Sequence, residues 1–149
     1  MKFLFKIIII GIISFIISNY LISICVVHGN SMYPTYEDKD IVIEDKITRN
    51  YTRGDIVVIK KNNLKIIKRI VGCPFDNLSI KDGYLYVNNI KYDDLLIEEI
   101  GILKDNITLK KDEYFVLGDN RNESIDSRYE EIGIIKKKEI IGKIISIYN

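Results

Sequence analysis

One apolar run constrains this chain more than any other feature. Ile7 to Val27 is 21 residues without a charge, and only Lys2 and Lys6 carry charge before it. A helix rises 1.5 Å per residue, so about 20 residues cross the hydrocarbon of a bilayer. The run therefore reads as a single membrane-spanning helix. Two early lysines put its N-terminus in the cytoplasm and the remainder of the chain outside. A cleaved leader is the competing reading, but its apolar core is shorter, about 7–15 residues, and ends at a small-residue site. Ser23-Ile24-Cys25 has small residues at that spacing, while Ala-x-Ala cannot occur in a chain without alanine. Run length favours the uncleaved anchor. The expected division is residues 1–27 as cytoplasmic stub and anchor, and 28–149 as an extracytoplasmic domain.

The rest of the chain has room for one domain with a modest core. Its charges nearly balance, with 22 Lys and Arg against 21 Asp and Glu. A nucleic-acid partner needs a basic face on a basic domain, and none is evident. Cys25 and Cys73 form no disulfide framework, and with His28 as the one histidine no cluster has metal-ligand spacing. The expectation is no metal and no cofactor, with a lipid bilayer as one partner.

Beyond residue 30 the pattern is mainly β. Asp40 to Glu44, Asp55 to Ile59, Leu64 to Val71 and Tyr114 to Leu117 are Ile/Val-rich or aromatic runs bounded by turn residues. Leu78 to Ile80 and Tyr84 to Val87 flank Lys81-Asp82-Gly83, a hairpin signal, and Asn88-Asn89 marks a further turn. Glu139 to Ile147 reads as a closing β segment. Asp93 to Leu103 is the one helix candidate, and its pattern is ambiguous. The expected fold is a compact β domain behind one N-terminal transmembrane helix.

Three clusters can carry chemistry. The first is Gly29-Asn30-Ser31-Met32-Tyr33-Pro34-Thr35, a serine beside residues that restrict the backbone. Serine between Gly and Pro is most often a turn residue. The second is Lys65 to Gly72. In a strand, Ile66, Lys68 and Ile70 share a face, which sets Lys68 between two isoleucines. Such a lysine either snorkels to water or is a buried amine whose burial favours the neutral form. A neutral amine can take a proton from a serine hydroxyl, and Ser–Lys pairs are a known variant of the Ser-His-Asp arrangement. The third is Phe115 to Arg128, with Gly118-Asp-Asn-Arg121 and Ser124-Ile-Asp-Ser-Arg128.

Together, in this order and behind an apolar N-terminus, these segments and Arg53-Gly-Asp-Ile-Val-Val58 resemble the bacterial type I signal peptidases. The likeness covers nearly the whole chain and is faintest from Tyr92 to Lys111. It implies a serine endopeptidase that removes signal peptides from exported preproteins, with Ser31 as nucleophile and Lys68 as general base. It further implies that Ser124 orients the Lys68 amine and that Asp126 and Arg128 pair to support the loop. Asp119 and Arg121 are implied as neighbours of the site, and Met32 and Ile67 as lining for an extended peptide.

Two places depart from the family pattern. Gly29 stands where some members have a serine donor for the oxyanion hole. Cys73-Pro74-Phe75-Asp76 has Phe where glycine is usual, and a Phe resists positive φ. His28, three residues from Ser31, invites a Ser–His reading, but nothing in the sequence orients it. A self-cleaving repressor-type protease shares the dyad, yet it requires a DNA-binding helical domain that is not evident here. The remaining alternatives are a specialised processing peptidase with few substrates, and an inactive membrane-tethered β binding domain.

Overall fold

The computed structural model describes residues 2–16 and 20–145. Helix α1 spans Lys2–Ile16, and eleven strands follow: β1 Ile22–Val26, β2 Ile41–Asp45, β3 Ile56–Lys61, β4 Leu64–Gly72, β5 Asn77–Lys81, β6 Tyr84–Val87, β7 Ile90–Lys91, β8 Ile107–Thr108, β9 Glu113–Leu117, β10 Ile135–Lys136 and β11 Ile140–Ile145. The mainly β expectation holds. Seven strands form one sheet in the order β1-β2-β11-β3-β4-β9-β10, and four form a second in the order β7-β6-β5-β8. Every pairing is antiparallel.

The expectation of one helix from Ile7 to Val27 is corrected at its C-terminal end, and residues 17–19 of that run lie outside the described residues. Helix α1 is described over Lys2–Ile16, and Ile22–Val26 is a strand paired with β2. No helix among the described residues is long and apolar enough to cross a membrane. The reason lies in the second half of the run, where β-branched residues alternate with small polar ones. Ile22, Ile24 and Val26 face outward, while Ser23 and Cys25 reach the Glu44 carboxylate on β2. The large apolar side chains of α1, from Phe3 to Phe15, are exposed.

The hairpins follow their turn chemistry. Asp82 and Gly83 both have positive φ, 52° and 78°, as a two-residue turn between β5 and β6 requires. Asn88 and Asn89 do the same between β6 and β7, and Asn62 and Asn63 between β3 and β4. Asp93 to Leu103 is no helix. Only Gly101–Lys104 turns, as a short 3₁₀ element, and Leu103 alone of its residues is buried. The closing segment is β11, and residues 146 and 147 of that expectation lie outside the described residues.

Three apolar clusters fill the domain. One joins Val57, Ile59, Ile70 and Val116 across β3, β4 and β9, and Ile66 packs against it. A second lies between the sheets around Leu78, Leu85, Phe115 and Leu117. A third packs Met32 with Val27, Val42 and Val58, and Ile67 leans on it. The alternation expected of β4 is therefore observed: Ile66 and Ile70 serve one cluster and Ile67 another.

The departure at Phe75 has a structural answer. Phe75 takes φ 71°, in the left-handed region. The turn is held around it: Asp76 Oδ2 accepts from the Cys73 amide at 2.7 Å and from Arg53 Nη2 at 2.8 Å. Asn88 Nδ2 donates to Asp76 Oδ1 at 2.7 Å. Left-handed backbone costs a non-glycine residue roughly 1–2 kcal/mol, and Phe75 is 71% exposed, so its ring returns little packing. Phe75→Gly is expected to raise unfolding free energy by about 1 kcal/mol, after the backbone entropy of glycine is subtracted. Urea unfolding of the two proteins checks this.

Candidate active site

Ser31 is fixed from both sides. Ahead of it, the Val27 amide donates to Asp40 O at 2.8 Å and the Lys39 amide to Val27 O at 2.9 Å. Behind it, Met32 is sunk into the third apolar cluster, and the Tyr36 amide donates to Met32 O at 2.9 Å. The Asn120 amide then donates to Ser31 O at 3.1 Å, tying the serine turn to the Gly118–Asn120 segment.

Lys68 stands on β4 opposite Val57 and is only 4% exposed. Its Nζ lies 2.7 Å from Ser31 Oγ and 3.1 Å from Ile67 O. Burial pushes the pKa of this amine below the ordinary lysine value, while Asp126 and Asp119 pull it back up; burial prevails. A lysine amine whose charged form is disfavoured by burial, set beside a serine hydroxyl, is an arrangement suited to proton transfer from that hydroxyl.

Ser124 is also buried, at 4% exposure, but its Oγ has no hydrogen-bond partner. The recorded bonds of Lys68 Nζ go to Ser31 and Ile67, so the orienting bond implied for Ser124 is not made in this structure. The serine nevertheless presses on the site. A Cβ on Gly118 would fall 2.2 Å from Ser124 Oγ and 2.4 Å from Ser31 O. Only glycine permits the three to meet. Gly118→Ala is expected to push the loop off Ser31 and lower any turnover about 100-fold, because small displacements of reacting groups cost that much. Steady-state kinetics beside a thermal melt separates this from unfolding.

The Asp126 and Arg128 side chains are wholly buried and paired, with Nε to Oδ1 at 2.8 Å and Nη2 to Oδ2 at 3.0 Å. Asp126 Oδ2 also accepts from the Gly118 amide at 3.0 Å. Arg128 donates to the carbonyls of Glu99, Arg121 and Ser124. Asp119 accepts from Arg69 through Nε at 2.7 Å and Nη2 at 2.6 Å, and from Thr35 Oγ1. Arg121 turns away toward Asp93, at 2.7 Å from Nη2, and donates to Gly118 O. Arg69, Thr35 and Asp93 are partners that sequence reasoning missed. Arg69 lay within a quoted motif. Asp93 is 28 residues from Arg121, and nothing local signals the pairing.

A cleft of about 320 Å³ opens beside Ser31 and Lys68. One wall is Ile24 to His28, the other Lys65 to Lys68, with Ser31 and Met32 at the junction. Met32 and Ile67, expected as lining for the peptide, are both among the residues around this cleft. His28 also lines the cleft, but the recorded partner of Ser31 Oγ is Lys68. The Gly29 amide is spent on Asp38 Oδ1 at 2.8 Å, so it is not a spare donor for an oxyanion. Both walls end in unpaired backbone. Among the described residues β1 pairs only with β2, and β4 pairs with β9 only at Arg69, Ile70 and Gly72.

The family model "Signal peptidase, peptidase S26" matches residues 1–149. Signal peptidase I S of Bacillus subtilis (strain 168) is 34% identical, over 88% of this chain and 79% of its own. Signal peptidase I of Bacillus amyloliquefaciens is 35% identical, over 91% and 80%. A crystal structure of a signal peptidase I from Enterococcus faecalis V583 superposes with a TM-score of 0.49 at 26% identity, covering 63% of this chain and 96% of that one. A match along the full length, with a third of residues shared across most of each Bacillus chain, places this protein in the signal peptidase family, peptidase S26.

Proposed function

We propose that this chain is a membrane-bound serine endopeptidase that removes N-terminal signal peptides from exported preproteins, with Ser31 as nucleophile and neutral Lys68 as general base. The observation that carries the reading is the 2.7 Å approach of a buried lysine amine to a serine hydroxyl at the end of a cleft. The names of the Bacillus relatives point to the same activity.

The chemistry follows from the protonation states. The Lys68 lone pair takes the Ser31 proton as Oγ bonds to the scissile carbonyl carbon. The resulting ammonium gives that proton to the leaving amine, the C–N bond breaks, and an acyl-serine remains. Lys68, neutral again, deprotonates a water that attacks the ester, then returns the proton to Ser31 Oγ as the acid leaves. The peptide lies extended along the unpaired edges of β1 and β4, adding a strand between them.

The membrane is part of this proposal. The apolar surface of α1 and the exposed Ile24, Val26 and Ile41 of β1 and β2 would lie in or against lipid, with α1 as the anchor, the N-terminus cytoplasmic and the β domain from β1 onward outside. Substrates held in the same plane gain effective concentration. The test is cleavage of a signal-peptide-bearing preprotein by the purified chain in detergent, with the cut located by mass spectrometry. A cut after a small residue at the end of the signal peptide is expected. A chain that leaves a broad panel of preproteins intact would be an inactive binding domain, and one that cuts a single member would be a dedicated processing enzyme.

A further inference from the structure

The basic turn Lys136-Lys137-Lys138 takes no part in the dyad or its cleft. It leads into β11, with Lys137–Glu139 as a 3₁₀ turn, and borders a second groove of about 700 Å³. Arg49, Asp112, Ile140 and Ile141 complete the lining, so four cations surround one carboxylate. Crowded like charges repel, and an anion between them relieves that. Most carboxylates nearby are already engaged. Glu113 takes the Lys136 ammonium, while Glu139 accepts from the Lys136 amide and faces Lys61. Among the described residues Lys137, Lys138 and Arg49 make no salt bridge. Arg49 is fixed through one nitrogen: Nη1 donates to Ile141 O at 3.2 Å and to the Tyr51 hydroxyl at 3.4 Å. The rest of its fork is left to a partner outside the fold.

The groove lies close to the start of β1, the strand that follows α1. There the Lys46 amide donates to Leu21 O at 2.9 Å. Arg49 is three residues beyond Lys46, at most about 11 Å of chain. From the other side Lys143 pairs with Asp45, and Ile141 stands two residues before it, about 7 Å along β11. Tyr20 and Ile47, the neighbours of Leu21 and Lys46, are both exposed, and tyrosine is enriched where lipid meets water. We infer that this groove holds the phosphate of an anionic lipid headgroup, with Arg49, Lys137 and Lys138 as its ligands and Ile140 and Ile141 against the glycerol. The inference rests on the membrane reading above. A phosphate accepts from the open edge of a guanidinium and from ammonium groups together. A zwitterionic headgroup brings its own cation into the cluster and is disfavoured. A headgroup seated here gives the β domain a second attachment to the bilayer besides α1.

The test titrates the full chain in mild detergent with dioleoylphosphatidylglycerol or dioleoylphosphatidylcholine and counts bound lipid by native mass spectrometry. Wild type is expected to hold one phosphatidylglycerol about tenfold more tightly than phosphatidylcholine. Lys137→Gln with Lys138→Gln should weaken that binding about 30-fold, roughly fivefold for each cation removed. Lys81→Gln with Lys104→Gln, which removes the same charge from exposed positions elsewhere, should leave it unchanged. Equal affinity in the two double variants would overturn the inference. So would displacement of the lipid by millimolar inorganic phosphate, which would mark a site for soluble anions. Flotation with phosphatidylcholine vesicles checks the membrane reading separately. A chain that floats yet binds both lipids alike overturns the inference alone, and a chain left out of the vesicle layer overturns the membrane reading and the inference with it.

Discussion

Ser31→Ala and Lys68→Ala are each expected to reduce preprotein cleavage by at least about 10³-fold, with the fold intact. Residues of a catalytic unit fail together, so the double variant should be little worse than either single one. The two losses have different physical origins. Without Ser31 Oγ there is no atom to acylate. Without Lys68 the hydroxyl remains but nothing within 2.7 Å takes its proton. Lys68→Arg should be as inactive as Lys68→Ala, because guanidinium stays protonated at any working pH. Stability should move the other way. Lys68 is buried, with a pKa depressed below its unfolded value. Between those two values the unfolded chain binds a proton that the folded chain does not, so stability rises with pH across that window. The burial penalty is full below the folded pKa and gone above the ordinary lysine value. Lys68→Met is therefore expected to stabilise the domain at neutral pH by about 1–3 kcal/mol while abolishing cleavage. Chemical unfolding and kinetics on the same preparation check both halves.

Arg128→Ala carries the largest expected loss of stability, about 3–5 kcal/mol, because it leaves Asp126 buried and uncompensated. The two side chains have no solvent exposure. The arginine also holds three loop carbonyls, those of Glu99, Arg121 and Ser124. Its loss would unfasten the segment that sets Gly118 against Ser31 and Ser124 against Gly118. Arg128→Lys should recover little, since one ammonium cannot reproduce the forked contact with both Asp126 oxygens. A denaturant midpoint shift without a matching change in slope is the expected result. A shift under 1 kcal/mol would mean that water enters the site and satisfies Asp126.

Much of the β domain was legible because its strands announce themselves locally. The Ile/Val runs of β2, β3, β4 and β11 alternate or stop at Asn, Asp and Gly, and the Asp82-Gly83 turn dictates its own hairpin. Strand β1 was not legible. Within Ile7 to Val27 apolar residues are so dense that Ile22, Ser23, Ile24, Cys25 and Val26 do not stand out as a period of two. What makes them a strand is Glu44, whose carboxylate collects Ser23 and Cys25 from across the pairing. Two-residue strands such as β8 and β10 exist only through their partners. At the site, the place of Lys68 between Ile66 and Ile70 could be read from alternation, but neither its burial nor its approach to Ser31 could. Thirty-seven residues separate them, and only the likeness to signal peptidases joined the two. The Arg69–Asp119–Thr35 and Arg121–Asp93 pairings are equally non-local, which is why the partners of Asp119 and Arg121 could not be named from sequence.

The central claim is that a neutral Lys68 amine activates Ser31, and the pH dependence of kcat/KM for preprotein cleavage by the full chain tests it most directly. Activity is expected to rise with pH as Lys68 loses its proton, through a midpoint below the ordinary lysine value, and that limb should persist in His28→Ala. A limb at the ordinary lysine value, or one that disappears with His28→Ala, would contradict it.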